Sequence, residues 1–149
     1  MKKIRITDST VSICREPLAS PFGFKGAYIT ELWQAQATVR SDNFTFTVPS
    51  TQSVLWSDAN VFARLGAEKG DETMLALTKR ASELICGRTF ETPSEVTNSL
   101  VSHLAEYARG LCGFDVKTTF VLNSLVGLDI ALWSVYAAEN GIQSFDGMI

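Results

Sequence analysis

Apolar residues alternate with polar ones through the first half of the chain and recur at helical spacing through the second. Ile4 and Ile6 alternate with polar neighbours, and so do Val11 and Ile13, but with opposite parity. A bulge or bend near Asp8-Ser9 reconciles them, because a one-residue slip turns every side chain to the other face. Over residues 28–40, Ile29, Trp33, Ala35, Ala37 and Val39 are apolar while Thr30, Gln34, Gln36, Thr38 and Arg40 are polar. That is the pattern of a half-buried antiparallel strand. Ser41-Asp42-Asn43 has turn chemistry, and Phe44, Phe46 and Val48 then alternate with Thr45 and Thr47. The spacing predicts a hairpin, with a third strand from the N-terminal segment. Residues 17–26 contain Pro17, Pro21, Gly23 and Gly26 and cannot be regular sheet throughout. Residues 49–53 read as a second irregular connection, leading to Val54-Leu55-Trp56.

Helical spacing begins after Ser57-Asp58. A short helix is predicted over 59–65, with Gly66 to Gly70 as an interruption. The next runs over about 71–86, placing Met74, Leu77, Ala81 and Leu84 on one face and stopping at Gly87. Thr92-Pro93-Ser94-Glu95 is a start signal, in which Thr92 caps, Pro93 takes the first helical position and Glu95 closes a capping box. Val96, Leu100, Leu104, Tyr107 and Leu111 form the stripe of the helix that follows. The last helix spans about 118–140. Val121, Leu125, Leu128, Leu132 and Val135 mark its spacing, and Asn140-Gly141 is its stop, since glycine takes the left-handed position without a Cβ clash. Strands followed by helices, without β-α alternation, make an α+β domain with helices on one side of an antiparallel sheet.

Composition narrows the function classes. The chain has 149 residues, 46% hydrophobic and 19% charged, with a net charge of −3. This suits one globular domain, and the absence of a basic stripe argues against a nucleic-acid partner. The most apolar stretch, within residues 120–138, includes Asn123, Ser124, Asp129 and Ser134, so it reads as a buried or amphipathic helix rather than a membrane span. Residues 1–8 hold two lysines but no apolar run behind them, unlike a secretory signal. Cys14, Cys86 and Cys112 fit neither a disulfide framework nor a zinc pattern and read as reduced thiols of a cytoplasmic protein. His103, the only histidine, has no neighbouring cysteine or acid set and reads as a surface or structural residue. Asp71-Glu72 and Glu91 read as acids at helix starts.

The segment Leu125-Val126-Gly127-Leu128-Asp129-Ile130-Ala131-Leu132-Trp133, with Ala137-Ala138-Glu139-Asn140-Gly141 after it, resembles the final helix of the N-terminal capping domain of the enolase superfamily. The resemblance is closest to its mandelate racemase/muconate lactonizing enzyme branch. It implies a three-stranded antiparallel meander followed by a bundle of three to four helices. It departs from the family pattern in two places. Ser134 stands where a second acid is usual, and residues 44–49 lack the usual glycine-rich stretch ending in glutamate.

The resemblance also assigns work to the two irregular stretches. In the family, two capping-domain loops close over the mouth of a (β/α)8 barrel and shape the substrate pocket. Here they correspond to residues 18–26 and 49–56, with Phe22, Phe24, Lys25, Gln52 and Trp56 as the candidate substrate-binding residues. They are expected to lie together at one end of the sheet. Asp129 is expected to be structural, buried and bonded to backbone or to a base. The family's reaction abstracts a proton next to a carboxylate with Mg2+ assistance, as racemisation, epimerisation, dehydration or cycloisomerisation. Its lysine or histidine bases and carboxylate ligands stand on the barrel, and neither a Lys-x-Lys pair at a suitable place nor a trio of acids at strand-end spacing is found here. The expectation is a capping domain of residues 1–149 with no catalytic residue and no metal ligand of its own. The barrel, a small carboxylate substrate and Mg2+ would belong to a longer enzyme. The alternative is a stand-alone α+β binding or interaction domain that forms homo-oligomers through the helix face otherwise turned to the barrel.

Overall fold

The computed structural model describes residues 1–148. Three strands, β2 (Asp8–Phe24), β3 (Ala27–Arg40) and β4 (Thr45–Thr51), form an antiparallel meander with β3 in the centre. The helices follow in sequence: α1 (Val54–Ser57), α2 (Ala59–Leu65), α3 (Ala67–Ile85), α4 (Pro93–Cys112) and α5 (Thr118–Asn140). The chain is α+β, as its pattern predicts.

On β3 the expected alternation holds. Trp33, Ala35, Ala37 and Val39 are buried and the residues between them are not. The two alanines keep this face shallow, so helices approach it closely. Helix α5 lies against β3 and β4 on one side and against α3 and α4 on the other. Phe120, Leu125, Leu128 and Leu132 anchor it in the main core with Met74 and Leu77 of α3 and Leu104 of α4. Among the described helices α5 alone is long and apolar enough to cross a membrane, but just over half of that stretch is buried inside the fold. Gly127 marks its closest approach to the sheet. A Cβ there would stand 2.8 Å from Ser50 Oγ and 3.3 Å from the Val48 carbonyl oxygen. Gly141, at φ 66°, ends α5 as expected, with the Ile142 amide donating back to Ala137 O at 2.9 Å.

Several sequence expectations are corrected. Ile4 and Ile6 do not continue into the meander. Ile4–Arg5 forms β1, which pairs with β5 (Thr89–Phe90), and the chain turns into β2 only after Thr7 bonds to Arg40 O. Residues 49–51 are not a loop but the end of β4, where Pro49 is tolerated because β4 is an edge strand. The interruption between α2 and α3 is Gly66 alone and not Gly66 to Gly70, since α3 starts at Ala67 and runs through Gly70. Gly70 is needed because a Cβ there would come within 2.8 Å of Val54 Cγ1, so it seats α1 against α3. The capping box at α4 does not form. Pro93 takes the first helical turn, but Thr92 Oγ1 faces Ser94 Oγ instead of a helix amide. Tyr107 and Leu111 are exposed, and the buried stripe ends on Leu104 and Ala108.

Candidate functional site

The expectation that residues 17–26 break regular sheet is met in a particular way. Strand β2 continues to Phe24, but pairing slips after Pro17, so that residues 18–21 stand opposite Thr30 alone. The extra residues arch away from the ladder and then rejoin it at Phe22. A two-residue turn, Lys25-Gly26, closes the hairpin with both φ angles positive, at 49° and 76°.

The second stretch is fixed from several directions. After β4 the Gln52 amide donates to Trp33 O at 2.8 Å, and the Ser53 amide donates to Asn123 Oδ1 at 2.8 Å. Thr119 Oγ1 donates to Ser57 O at 2.5 Å. Buried Asp58 caps α2 through the amides of Asn60 and Val61, and its other oxygen accepts from the Lys117 amide at 2.7 Å. The first turns of α5 therefore hold α1 in place.

The two stretches meet, as expected, at the hairpin end of the sheet. Lys25 Nζ donates to Trp56 O at 3.1 Å. Between them lies a cavity of about 660 Å³. Leu18, Pro21, Phe22 and Phe24 line it from the hairpin, Gln52, Leu55 and Trp56 from the other side, and Leu32 and Phe62 beneath. Phe22 and Phe24 stack at 6.4 Å between ring centroids, and Phe22 and Trp56 remain 56% and 61% exposed. Of the five candidate residues, Phe22, Phe24, Gln52 and Trp56 line this cavity. Lys25 does not. Its ammonium sits over the Phe24 ring at 5.3 Å and it borders a separate shallow groove with Tyr28.

Two acids of the cavity wall, Glu31 and Asp71, were not singled out as site residues from sequence. Glu31 faces Arg15, accepts a bond from Trp33 Nε1 at 3.1 Å, and is held below the usual carboxylate range by the Arg15 guanidinium. Arg15 also bonds Glu68 at 3.2 Å and lies over the Trp33 ring. Asp71 has no such cation. Its carboxyl is pushed up to about 6, chiefly by burial, against the opposing hydrogen bond from Gln52. Gln52 Nε2 donates to Asp71 O at 2.9 Å and to its Oδ1 at 3.0 Å. Gln52 itself is buried, and its Oε1 has no partner.

Asp129 is half-buried and accepts from Thr97 Oγ1 at 2.6 Å, joining α5 to α4. The expected backbone or basic partner is replaced by a hydroxyl. His103 is exposed. The acid of this helix with the richest set of partners is Glu139, near its C-terminal end, which sequence reasoning passed over. It accepts from Ser41 Oγ at 2.6 Å, from the Asn43 amide and side chain, and from Lys2 Nζ at 2.5 Å. These donors lower its carboxyl to about 2. Among the described residues no three His, Cys, Asp or Glu side chains converge as a metal site.

No protein-family model matches the chain, and no curated protein matches it in sequence. Solved structures do. An enolase from Bradyrhizobium, crystallised with magnesium and mandelic acid, matches 95% of this chain over 33% of its own, at a TM-score of 0.54 and 15% identity. A mandelate racemase/muconate lactonizing protein from Herpetosiphon aurantiacus matches 91% over 31%, at 0.58 and 13%. L-talarate dehydratase from Polaromonas sp. JS666, with magnesium and L-glucarate, matches 93% over 33%, at 0.56 and 19%. The chain thus spans about a third of the length of these proteins. Its fold is that of the enolase N-terminal domain.

Proposed function

We propose that this enolase-type capping fold serves as the substrate-specificity cap of a longer, magnesium-dependent enzyme that abstracts a proton next to a carboxylate. The observation that supports this most is the convergence of two separate stretches, residues 18–24 and 52–56, on one aromatic cavity at one end of the sheet. A pocket of this size, mostly apolar with a few polar groups, is suited to a small molecule. Among the described residues no group of acids converges as a magnesium site, and we place the metal ligands and bases of such an enzyme on its second domain. What this chain contributes is shape, exclusion of water and contact with the part of the substrate remote from the reacting carbon. An uncovered apolar row on α5, Leu122, Val126 and Ile130, offers that domain a docking face. Racemase, epimerase, dehydratase and cycloisomerase chemistry all suit this division of labour. The proposed setting is the cytoplasm, where the three free thiols stay reduced.

The coding frame beyond the Ile149 codon tests the reading directly. A frame continuing into eight β-α units with acids at successive strand ends supports it. A frame without them, together with sedimentation showing a stable homo-oligomer, favours the stand-alone interaction domain instead. In the enzyme carrying this domain, changes at Phe24 or Trp56 should shift relative kcat/KM between substrates and leave magnesium affinity unchanged. Unaltered substrate preference would count against the cap.

A further inference from the structure

The cavity beneath the two stretches is charged in one sense only. Glu31 and Asp71 are in its wall, and no lysine, arginine or histidine is. The nearest guanidinium, Arg15, is committed to Glu31 and Glu68 and stacked on Trp33. Lys25 is turned to the Trp56 carbonyl. Asp71 therefore keeps one oxygen, Oδ2, that accepts no hydrogen bond from the described residues, while Oδ1 takes the Gln52 amide. Gln52 is 6% exposed, and its Oε1 is buried with no donor although the residue forms part of the cavity wall. Native proteins rarely leave a buried acceptor unpaired, because its lost hydration is not repaid. Gln52 Oε1 is thus a buried acceptor without a donor, and the Asp71 carboxylate, partly covered and bonded through Oδ1 alone, belongs to the same cavity wall as Phe22, Phe24 and Trp56.

Resting on the reading that this cavity receives ligand, we infer that it takes the cationic end of an elongated molecule, a primary ammonium or amidinium carried on an aromatic or aliphatic stem. Such a group brings several N–H donors and a positive charge. It can pair with Asp71 Oδ2 and, after a small rotation of the Gln52 amide, supply the missing donor to Oε1. The aromatic rings favour it further, since their faces attract cations. A ligand carboxylate would find no free cation in this wall and would be repelled by Asp71, whose charge has no ion-pair partner. A neutral hydroxyl would satisfy one acceptor and leave the carboxylate unpaired. The ordinary consequence of burial without a cation is already visible in the raised Asp71 carboxyl.

The test is a titration of the full chain near neutral pH, followed by amide NMR shifts, with three probes of similar shape: benzylamine, benzyl alcohol and phenylacetate. Benzylamine should give saturable shifts centred on Gln52, Asp71 and Trp56, with affinity about tenfold above phenylacetate, the size of one charge-assisted contact. Asp71→Asn should lose most of that advantage. Phenylacetate binding as tightly as benzylamine at these residues overturns the inference and leaves the ligand cavity standing. Benzylamine binding there with undiminished affinity in Asp71→Asn also overturns it. If none of the three probes shifts these residues, the inference and the reading beneath it fall together.

Discussion

The two ends of the β2-β3-β4 sheet each hold an acid against the helices, and the two acids are treated in opposite ways. At the β3-β4 turn, Glu139 has a side chain only 3% exposed, yet it is surrounded by donors from Ser41, Asn43 and Lys2. Its carboxyl falls to about 2. At the hairpin end, Asp71 has the Gln52 amide as its side-chain partner and no cation, and its carboxyl rises to about 6. Hydrogen bonds to the charged form lower a carboxyl pKa, and desolvation without them raises it. A saturated acid is a fastener. An under-saturated one beside a cavity is a group still waiting for a partner, which is where binding sites are sought. The contrast separates the part of this domain that holds it together from the part that can meet something else.

That contrast assumes both ends hang from one rigid support, and the largest expected effect tests the support. Gly127 lets α5 lie directly on β4, so Gly127→Val would push its Cβ into Ser50 and crowd the Val48 carbonyl. Overpacking of this kind should cost about 1–3 kcal/mol, and we expect the upper half of that range because backbone must move. Chemical denaturation measures it. An unchanged midpoint would mean that α5 and β4 are not in close contact. Next in size is Glu139→Ala. It removes a charged acceptor from several donors, of which Ser41 is buried, for an expected loss of about 2 kcal/mol. Asp71→Asn should cost nothing or raise the melting temperature, since it discharges an acid whose ionised form is poorly supported. If the two variants lose equal stability, the distinction between the two ends fails.

The same two acids make opposite contributions as pH changes. Glu139 titrates near 2 when folded and near its ordinary 4.5 when unfolded, so its stabilisation is present above 4.5 and lost as pH falls towards 2. Asp71 titrates near 6 when folded and near 3.8 when unfolded, so folding binds a proton between these values and its contribution grows as pH falls through them. The charges bearing on Asp71 are Glu31, which raises it, and Arg15, which lowers it. Denaturation midpoints taken from pH 7 down to 3 should therefore hold up or rise before they drop. Asp71→Asn should abolish the early gain. Glu139→Gln should flatten part of the later loss, the rest belonging to Glu31 and Glu91, whose carboxyls are lowered by Arg15 and Lys3. A loss of stability between pH 6 and 4 that persists unchanged in Asp71→Asn would contradict the assignment.

What could be read from sequence follows from how local each feature is. The alternation on β3 and the apolar spacing of α5 are one-dimensional patterns, and both appear in the fold as read. Resemblance to a family motif brought the two irregular stretches together before any coordinates did. Asp71 was missed because Gly70 looks like a helix breaker, which made Asp71 look like a first-turn acid. Gly70 is instead a contact residue, and its reason, Val54, lies outside the helix. Pro49 misled in the same way, since nothing local says that its strand is an edge. Glu139 was passed over because Ser41, Asn43 and Lys2 are distant in sequence, and only the finished meander carries them to the end of α5.

Asp129 lies between the two extremes and sets the finest test of the comparison. It has one protein donor among the described residues, Thr97 Oγ1 at 2.6 Å, and is neither fully buried nor fully exposed. One hydrogen bond to a carboxylate that water still reaches should hold α4 to α5 by about 0.5–1.5 kcal/mol. Asp129→Ala and Thr97→Val should each lower the denaturation midpoint by an amount in that range, and the double variant should lose little more than either alone, because both break the same bond. Losses that simply add would mean that each residue acts through other neighbours. A loss approaching that of Glu139→Ala would show that partner count does not grade these acids. With one donor the cost should be small, and it should leave the cavity end untouched, since Thr97 and Asp129 lie outside its walls.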